Sequence, residues 1–97
     1  MTHISSKDLK KFLDSNNVFL LDVREVDEHA DFNIGATLIP LGEILLKHEL
    51  IPADQTVIVY CKKGIRSQIA IQRLEEKFGF TNLVNLKGGI DDWKKNF

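Results

Sequence analysis

The sequence predicts an α/β fold built on a mainly parallel sheet. The runs Val18–Val23 and Val57–Tyr60 are almost continuously apolar, which is typical of strands buried on both faces of a parallel sheet. Other segments, such as Ser67–Phe78, carry apolar residues at intervals of three and four positions, which is the period of a helix. Because the two kinds of segment alternate along the chain, an α/β architecture is favoured over all-α or all-β.

The chain opens with a predicted helix followed by a predicted strand. Ser5–Asp8 has the residue order of a capping box, and Leu9, Phe12 and Leu13 then share one helical face. Asn16-Asn17 is expected to end the helix. The apolar run from Val18 follows directly and forms the first predicted strand.

Shorter elements are predicted in the middle of the chain. Glu25–Ala30 has the composition of a short polar helix, and Thr37–Ile39 that of a short strand stopped by Pro40. A further helical face is predicted from the spacing of Leu41, Ile44, Leu45 and His48.

In the second half of the chain, the strand Val57–Tyr60 runs directly into Cys61, and Gly64 breaks the extended pattern. The helix Ser67–Phe78 should face the core with Ala70, Ile71, Leu74 and Phe78. Gly79 is placed to end this helix, and Phe80 to pack back on it. The last predicted elements are the strand Leu83–Leu86, a turn at Gly88-Gly89 and a short helix carrying Ile90 and Trp93.

Length and composition limit the class of protein. The 97 residues fit one domain spanning 1–97, with no repeat and no linker-like segment. The formal net charge of -1 argues against a nucleic-acid binder. No apolar run approaches the roughly 20 residues that cross a bilayer, and the first residues lack the apolar stretch of a signal peptide. We therefore expect a cytoplasmic protein with neither nucleic-acid nor membrane partners.

Cysteine and histidine usage excludes two further classes of site. Cys61 is alone in the sequence, so an intrachain disulfide and a Cys-x-x-Cys redox motif are both ruled out. One cysteine and the scattered His3, His29 and His48 make a poor set of zinc ligands. The sequence predicts neither a metal nor a cofactor, and a reducing compartment would keep Cys61 available as a thiol.

Cys61 lies where α/β proteins place their sites, at the carboxyl end of a buried strand. Gly64 permits a tight turn, and successive N–H groups of such a loop can surround an anion. Lys62, Lys63 and Arg66 add three cations, and a helix beginning near Ser67 adds its positive end. Together these features predict a site that stabilises a thiolate or persulfide anion.

Plainer interpretations remain open for the same residues. A lone cysteine is often a small buried apolar side chain. Lys62 and Lys63 fit a solvated loop tip, and Arg66 fits a structural salt bridge. The combination of Lys-Lys-Gly-x-Arg next to the cysteine favours the functional interpretation, because a core cysteine does not require such neighbours.

The segment Cys61–Ser67 resembles the active-site loop of the rhodanese family, which reads Cys, two variable residues, Gly, one variable residue, Arg, Ser. Three further segments resemble the family's other signatures. In chain order they are Leu21–Arg24 with Glu28, Gly35–Pro40, and Gly88–Trp93. Each segment alone is weakly specific, but four in the right order cover nearly the whole chain.

This resemblance implies a three-layer rhodanese-like fold, with about five mainly parallel strands between helices. It implies that Cys61 takes sulfane sulfur from a small anionic donor such as thiosulfate. The acceptor would be thiophilic: a thiol, cyanide or a sulfur-carrier protein. Asp22 and Arg24 match residues that brace the site, and Trp93 is expected in the core. The residues implied for substrate binding are Lys62, Lys63, Gly64, Ile65, Arg66 and Ser67.

Some residues of this chain depart from the family pattern. Phe32–Ala36 replaces the family's Gly-His pair and is one residue short, which affects the local loop shape but not the cysteine loop. His29 is expected on a helix surface rather than as a catalytic base.

Other functions compete with sulfur transfer. Related phosphatases need five residues between cysteine and arginine, whereas four separate Cys61 from Arg66. The remaining alternatives are a non-catalytic interaction module and a sulfur-delivery domain of an adenylyltransferase system.

Overall fold

A computed structural model describes residues 1–15 and 17–97 of the chain. Asn16, half of the expected end of the first helix, lies outside the described residues. The described strands are β1 (Thr2–Ile4), β2 (Phe19–Asp22), β3 (Thr37–Leu38), β4 (Val57–Tyr60) and β5 (Leu83–Leu86). The described α-helices are α1 (Ser6–Ser15), α2 (Val26–Asp31), α3 (Ile65–Phe78) and α4 (Gly89–Asn96).

The strands of the described residues form one sheet in the order β1-β5-β4-β2-β3, and every pairing is parallel. The central strand β4 is buried along its whole length, as its continuous apolar sequence predicts. Because all strands run in the same direction, their carboxyl ends meet at one edge of the sheet. The prediction of an α/β fold with a mainly parallel sheet of about five strands is confirmed.

Helices cover both faces of the sheet, and β4 shows why. Val57 and Val59 point to the face covered by α3, whereas Ile58 and Tyr60 point to the face covered by α1 and α4. The α3 side of the core includes Ala70, Ile71 and Leu74, and the opposite side includes Leu9, Ile90 and Trp93. Trp93 is a core residue, as expected. None of the helices in residues 1–15 and 17–97 is long and apolar enough to cross a membrane.

Several local predictions need correction. The helix α3 begins at Ile65 rather than Ser67, because Gly64 adopts a left-handed φ of 97° and serves as its N-terminal cap. Phe78 does not face the core: it is 38% exposed and stacks on His48 with ring centroids 3.6 Å apart. The helical face expected between Leu41 and His48 is instead two short 3₁₀ segments, Leu41–Glu43 and His48–Leu50.

The edge strand β1 was not predicted from the pattern of the sequence. It has three residues, two of them exposed, so it lacks the apolar run that marks the buried strands. Its pairing with β5 places His3 opposite Asn85. This pairing brings the start of the chain next to the cysteine loop.

Candidate active site

Cys61 follows the central strand at the carboxyl edge of the sheet, and its side chain is almost fully buried, with 1% exposure. The Sγ atom accepts a hydrogen bond from the N–H of Gly64 at 3.1 Å and a longer one from the N–H of Ser67 at 3.4 Å. The Oγ of Ser67 lies 3.4 Å from the same sulfur. The loop and the first turn of α3 therefore direct hydrogen-bond donors at one sulfur atom, which is the arrangement that stabilises an anion.

The N-terminus of α4 determines the shape of the cysteine loop. The N–H groups of Ile90 and Asp91 donate to the carbonyl oxygens of Cys61 and Lys62, at 2.9 and 3.0 Å. This close approach requires glycine at position 89, because a Cβ there would lie 2.5 Å from both carbonyl oxygens. Gly89 also has a left-handed φ of 62°. The Gly-Gly segment was expected as a turn and as part of a family signature, and in the structure it packs against the cysteine loop.

A shallow cavity of about 170 Å³ lies at the cysteine loop and is lined by Cys61, Lys62, Lys63, Ile65 and Arg66. Both lysines are exposed, and the Ile65 side chain is 67% exposed at the rim. Gly64 and Ser67 are buried, donate to the sulfur and do not line the cavity. The structure thus divides the implied binding residues into a buried set that contacts Sγ and an exposed set around the opening.

Arg66 is held by a carboxylate from α2. Its Nη1 and Nη2 donate to the two oxygens of Glu28 at 2.7 and 2.9 Å. The cysteine loop itself carries three basic side chains and no acid, and Glu28 reaches it from another element, as the salt-bridge interpretation of Arg66 allowed. The hydrogen bond from Arg66 lowers the pKa of Glu28 to about 2, and burial opposes this effect in part. The same bond raises the pKa of Arg66. The structural salt bridge is present, and Arg66 still lines the cavity.

The depressed pKa of Glu28 predicts a pH-dependent contribution to stability. Because this pKa falls from 4.5 to about 2 on folding, the contribution is complete above about pH 4.5 and is lost as the pH drops towards 2. We expect the difference in urea midpoint between the natural protein and Glu28→Gln to be constant above pH 5 and to shrink below it.

Glu43→Gln is the matched control for this experiment, since Glu43 pairs with Lys47 on the exposed surface. Such exposed pairs contribute little, so its midpoint should stay close to that of the natural protein at every pH. A Glu28→Gln difference that does not change between pH 5 and the lowest pH of cooperative unfolding would contradict the assignment.

Asp22 and Arg24 form a buried ion pair at the carboxyl end of β2. The carboxylate of Asp22 accepts from the backbone N–H, Nε and Nη2 of Arg24, and Nη2 also donates to the carbonyl of Phe32. His29 joins this pair, with Nδ1 2.9 Å from Asp22 Oδ2. His29 was expected on a helix surface; it lies on α2 with its side chain 22% exposed and directed to Asp22. The three side chains tie α2 to the sheet edge.

Two further residues of the site escaped sequence analysis. The Oγ of Ser67 donates to Oδ1 of Asn85 at 2.5 Å, and Nδ2 of Asn85 lies 3.1 Å from Nδ1 of His3. Asn85 sits in β5 and is 1% exposed. A polar residue inside a predicted buried strand was the available signal. Among the described residues, no group of three or more His, Cys, Asp or Glu side chains is arranged to hold a metal ion.

Comparison with known proteins agrees with this geometry. The family model described as "Rhodanese-like domain" matches residues 5–96. A crystal structure of a rhodanese-related protein from Thermoplasma volcanium superposes with a TM-score of 0.89 at 30% identity, covering 99% of this chain and 93% of that one. The similarity in fold and sequence thus covers nearly the whole chain.

Several curated relatives carry sulfurtransferase names. A probable adenylyltransferase/sulfurtransferase MoeZ of Mycobacterium tuberculosis is 40% identical over 95% of this chain, but this chain spans only 24% of that protein. A sulfurtransferase of Allochromatium vinosum is 34% identical, covering 99% of this chain and 91% of its own length. The thiosulfate sulfurtransferase GlpE of Coxiella burnetii is 30% identical, with coverages of 97% and 85%.

Proposed function

Because this chain belongs to the rhodanese-like family, we propose that it transfers sulfane sulfur from thiosulfate, or a similar small anion, through a persulfide on Cys61. The observation that carries the proposal is the placement of Sγ. Cys61 lines the cavity, its sulfur accepts hydrogen bonds from Gly64 and Ser67, and the basic residues of the loop line the same cavity. A buried structural cysteine would not line an opening rimmed by cations.

The proposed chemistry has two balanced steps. The Cys61 thiolate attacks the outer sulfur of thiosulfate, a sulfur–sulfur bond forms, and sulfite leaves with the electron pair of the broken bond. The enzyme persulfide then gives its outer sulfur to an acceptor such as cyanide, which leaves as thiocyanate and restores the thiolate. The charge on sulfur stays negative before and after each step. Stabilisation of an anion at this point therefore assists both steps.

The protein supplies that stabilisation mainly through its backbone. The N–H groups of Gly64 and Ser67 and the N-terminal end of α3 are fixed in place by the fold, so they need no reorganisation during the reaction. The carbonyl oxygens of Cys61 and Lys62 would oppose an anion, but the N–H groups of α4 bind them. The guanidinium of Arg66 adds positive charge at the rim, reduced by its pairing with Glu28.

The identity of donor and acceptor rests on the cavity and the relatives. A cavity of about 170 Å³ with two exposed lysines suits a small anion, and the GlpE relative is named for thiosulfate. The acceptor in this proposal is a thiol, cyanide or a sulfur-carrier protein. The MoeZ relative favours delivery to a partner of an adenylyltransferase system as the second possibility. We further propose that residues 1–97 act as one rhodanese domain in the cytoplasm, without a cofactor.

Lys62 and Lys63 should act on donor capture more than on chemistry. Both are exposed, so they attract an anion at long range and are screened by salt. We expect the double change Lys62→Ala and Lys63→Ala to raise KM for thiosulfate roughly fivefold, as expected of two exposed charges at under ~1 kcal/mol each. The value of kcat should change less than about twofold. Steady-state kinetics at low and high ionic strength measure the effect, which should shrink with added salt.

The double variant Lys10→Ala and Lys11→Ala is the control for net charge, since it removes two cations from α1 without touching the cavity. Its KM should equal that of the natural protein. Equal KM values for the two double variants would show that Lys62 and Lys63 are solvated loop residues that do not contribute to donor binding.

Intact mass provides the direct test of the proposed function. Incubation with thiosulfate should add one sulfur atom to the protein, and cyanide should remove it with formation of thiocyanate. The absence of any adduct, together with no transfer to cyanide, would overturn the proposal.

A further inference from the structure

A row of side chains connects the sulfur of Cys61 to His3 on the edge strand β1. Sγ of Cys61 lies 3.4 Å from Ser67 Oγ, which donates to Asn85 Oδ1 at 2.5 Å. Asn85 Nδ2 in turn lies 3.1 Å from Nδ1 of His3. The first three residues are at most 1% exposed, whereas His3 is exposed. These contacts form a continuous hydrogen-bonded row from the sulfur to solvent.

The direction of this row depends on the proton of Cys61. A serine hydroxyl has one proton, and in the arrangement seen here Ser67 gives it to Asn85. The lone pairs of Ser67 then face Sγ, which suits a thiol that donates its own proton. Asn85 completes the row by donating from Nδ2 to an unprotonated Nδ1 of His3.

A sulfur that has lost its proton reverses these requirements. In a thiolate, a persulfide or a disulfide, Sγ has no proton and can only accept a hydrogen bond. If Ser67 kept its present orientation, the lone pairs of its Oγ would face the lone pairs of Sγ. The row is satisfied again if Ser67 donates to Sγ and Asn85 rotates its amide by about 180°, exchanging Nδ2 and Oδ1. Nδ2 then donates to Ser67, and Oδ1 accepts from a protonated Nδ1 of His3.

We infer that Asn85 is a positioning residue whose reversible amide lets Ser67 donate to the sulfur of Cys61 whenever that sulfur is unprotonated. This inference rests on the proposed function, because the reaction passes through two such sulfur states. The thiol proton leaves to solvent, and His3 exchanges its ring protons with solvent. A cavity of about 400 Å³ lined by His3, Gln68, Asn85, Lys87 and Gly88 gives water access to that end of the row. Lys87 is the charged residue of this cavity.

The kinetic test compares two replacements of similar size. Asn85→Asp retains an acceptor for the Ser67 hydroxyl but cannot reverse, whereas Asn85→Leu releases that hydroxyl to the sulfur. We expect Asn85→Asp to slow alkylation of Cys61 by iodoacetamide about tenfold at neutral pH, the loss of about 1.4 kcal/mol. Asn85→Leu should change the rate less than threefold. Equal slowing in both variants would identify Asn85 as merely structural and overturn the inference.

A Ser67→Ala background separates this effect from simple charge repulsion. The carboxylate introduced at position 85 should act through Ser67, so Asn85→Asp should slow alkylation less than threefold once Ser67 is replaced by alanine. A tenfold effect that persists in this background would show that the new charge acts directly on the sulfur, and the inference would fail. Iodoacetamide is neutral and needs no sulfur transfer, so these results are independent of the proposed catalytic activity.

A measurement on the natural sequence covers the case in which Asn85→Asp does not fold. Methyl methanethiosulfonate converts Cys61 to a methyl disulfide and releases methanesulfinate, which leaves Sγ unprotonated at any pH. We expect ¹⁵N NMR at about pH 8.5 to show His3 with one ring proton, carried on Nδ1. His48 is the internal standard, because its Nδ1 lies 3.0 Å from the carbonyl of Leu45 and must donate. A proton on Nε2 of His3 in the disulfide form would overturn the inference.

Discussion

Replacing Cys61 with serine is expected to eliminate both the sulfur adduct and the transfer of sulfur from thiosulfate to cyanide. Serine fits the same space, and its oxygen can accept from Gly64 and Ser67, but it cannot form a persulfide. The rate of thiocyanate formation should therefore fall to the uncatalysed background. Intact mass after incubation with thiosulfate should show no added sulfur in the variant.

The stability of the Cys61→Ser variant is the control for this prediction, because it shows whether the variant is folded. Because the donors around position 61 can bond an oxygen as well as a sulfur, we expect the free energy of unfolding to change by about 1 kcal/mol or less. A urea titration measures this change. A folded Cys61→Ser protein that still releases thiocyanate at the natural rate would exclude the persulfide mechanism.

Gly89→Ala is expected to damage the site from outside the cysteine loop. A Cβ at position 89 would lie 2.5 Å from the carbonyl oxygens of Cys61 and Lys62, far inside normal contact distance. Either the loop or α4 must move, and the N–H groups aimed at Sγ move with it. We expect a loss of roughly 2–4 kcal/mol in the free energy of unfolding. Sulfurtransferase activity should fall at least about a hundredfold, since small displacements of reacting groups are this costly.

Gly79→Ala is the matched control for this prediction. Gly79 has a comparable left-handed φ of 72°, but a Cβ there meets nothing within 4 Å. Alanine at position 79 should therefore cost about 1 kcal/mol through backbone strain and leave the activity almost unchanged. Equal activities for the two alanine variants would show that the packing of α4 on the loop does not maintain the site.

The buried strand β4 and the helix α3 were predictable because each is marked by a strong local pattern in the sequence. A continuous apolar run defines β4, and a 3.6-residue period with a terminal glycine defines the end of α3 at Phe78. Weak elements were missed for the opposite reason. The strand β1 is short and exposed and is held by pairing with β5, and the 3₁₀ segments near His48 depend on packing that no local pattern records.

In the site, too, contributions from neighbouring residues were predictable from the sequence, and contributions from distant residues were not. Cys61 and Gly64 are predicted because strand, glycine and cations adjoin one another in the sequence. The partners of the loop come from elsewhere: Glu28 reaches Arg66 across 38 positions, and His3 reaches Asn85 across 82. Only the three-dimensional arrangement shows that Arg66 carries a salt bridge and that a buried amide supports Ser67.

The contact between α4 and the cysteine loop has a consequence for biosynthesis. The ribosome releases residues 61–67 before residues 89–96, so the loop emerges without the N–H groups of Ile90 and Asp91 that bind its carbonyl oxygens. A nascent chain that stops before Gly89 therefore lacks these contacts, and the loop gains its full set of hydrogen bonds only after synthesis reaches α4. The sulfur loading that we propose therefore requires residues 89–91 to be present, and a chain terminated before Gly89 lacks the support that its cysteine loop requires.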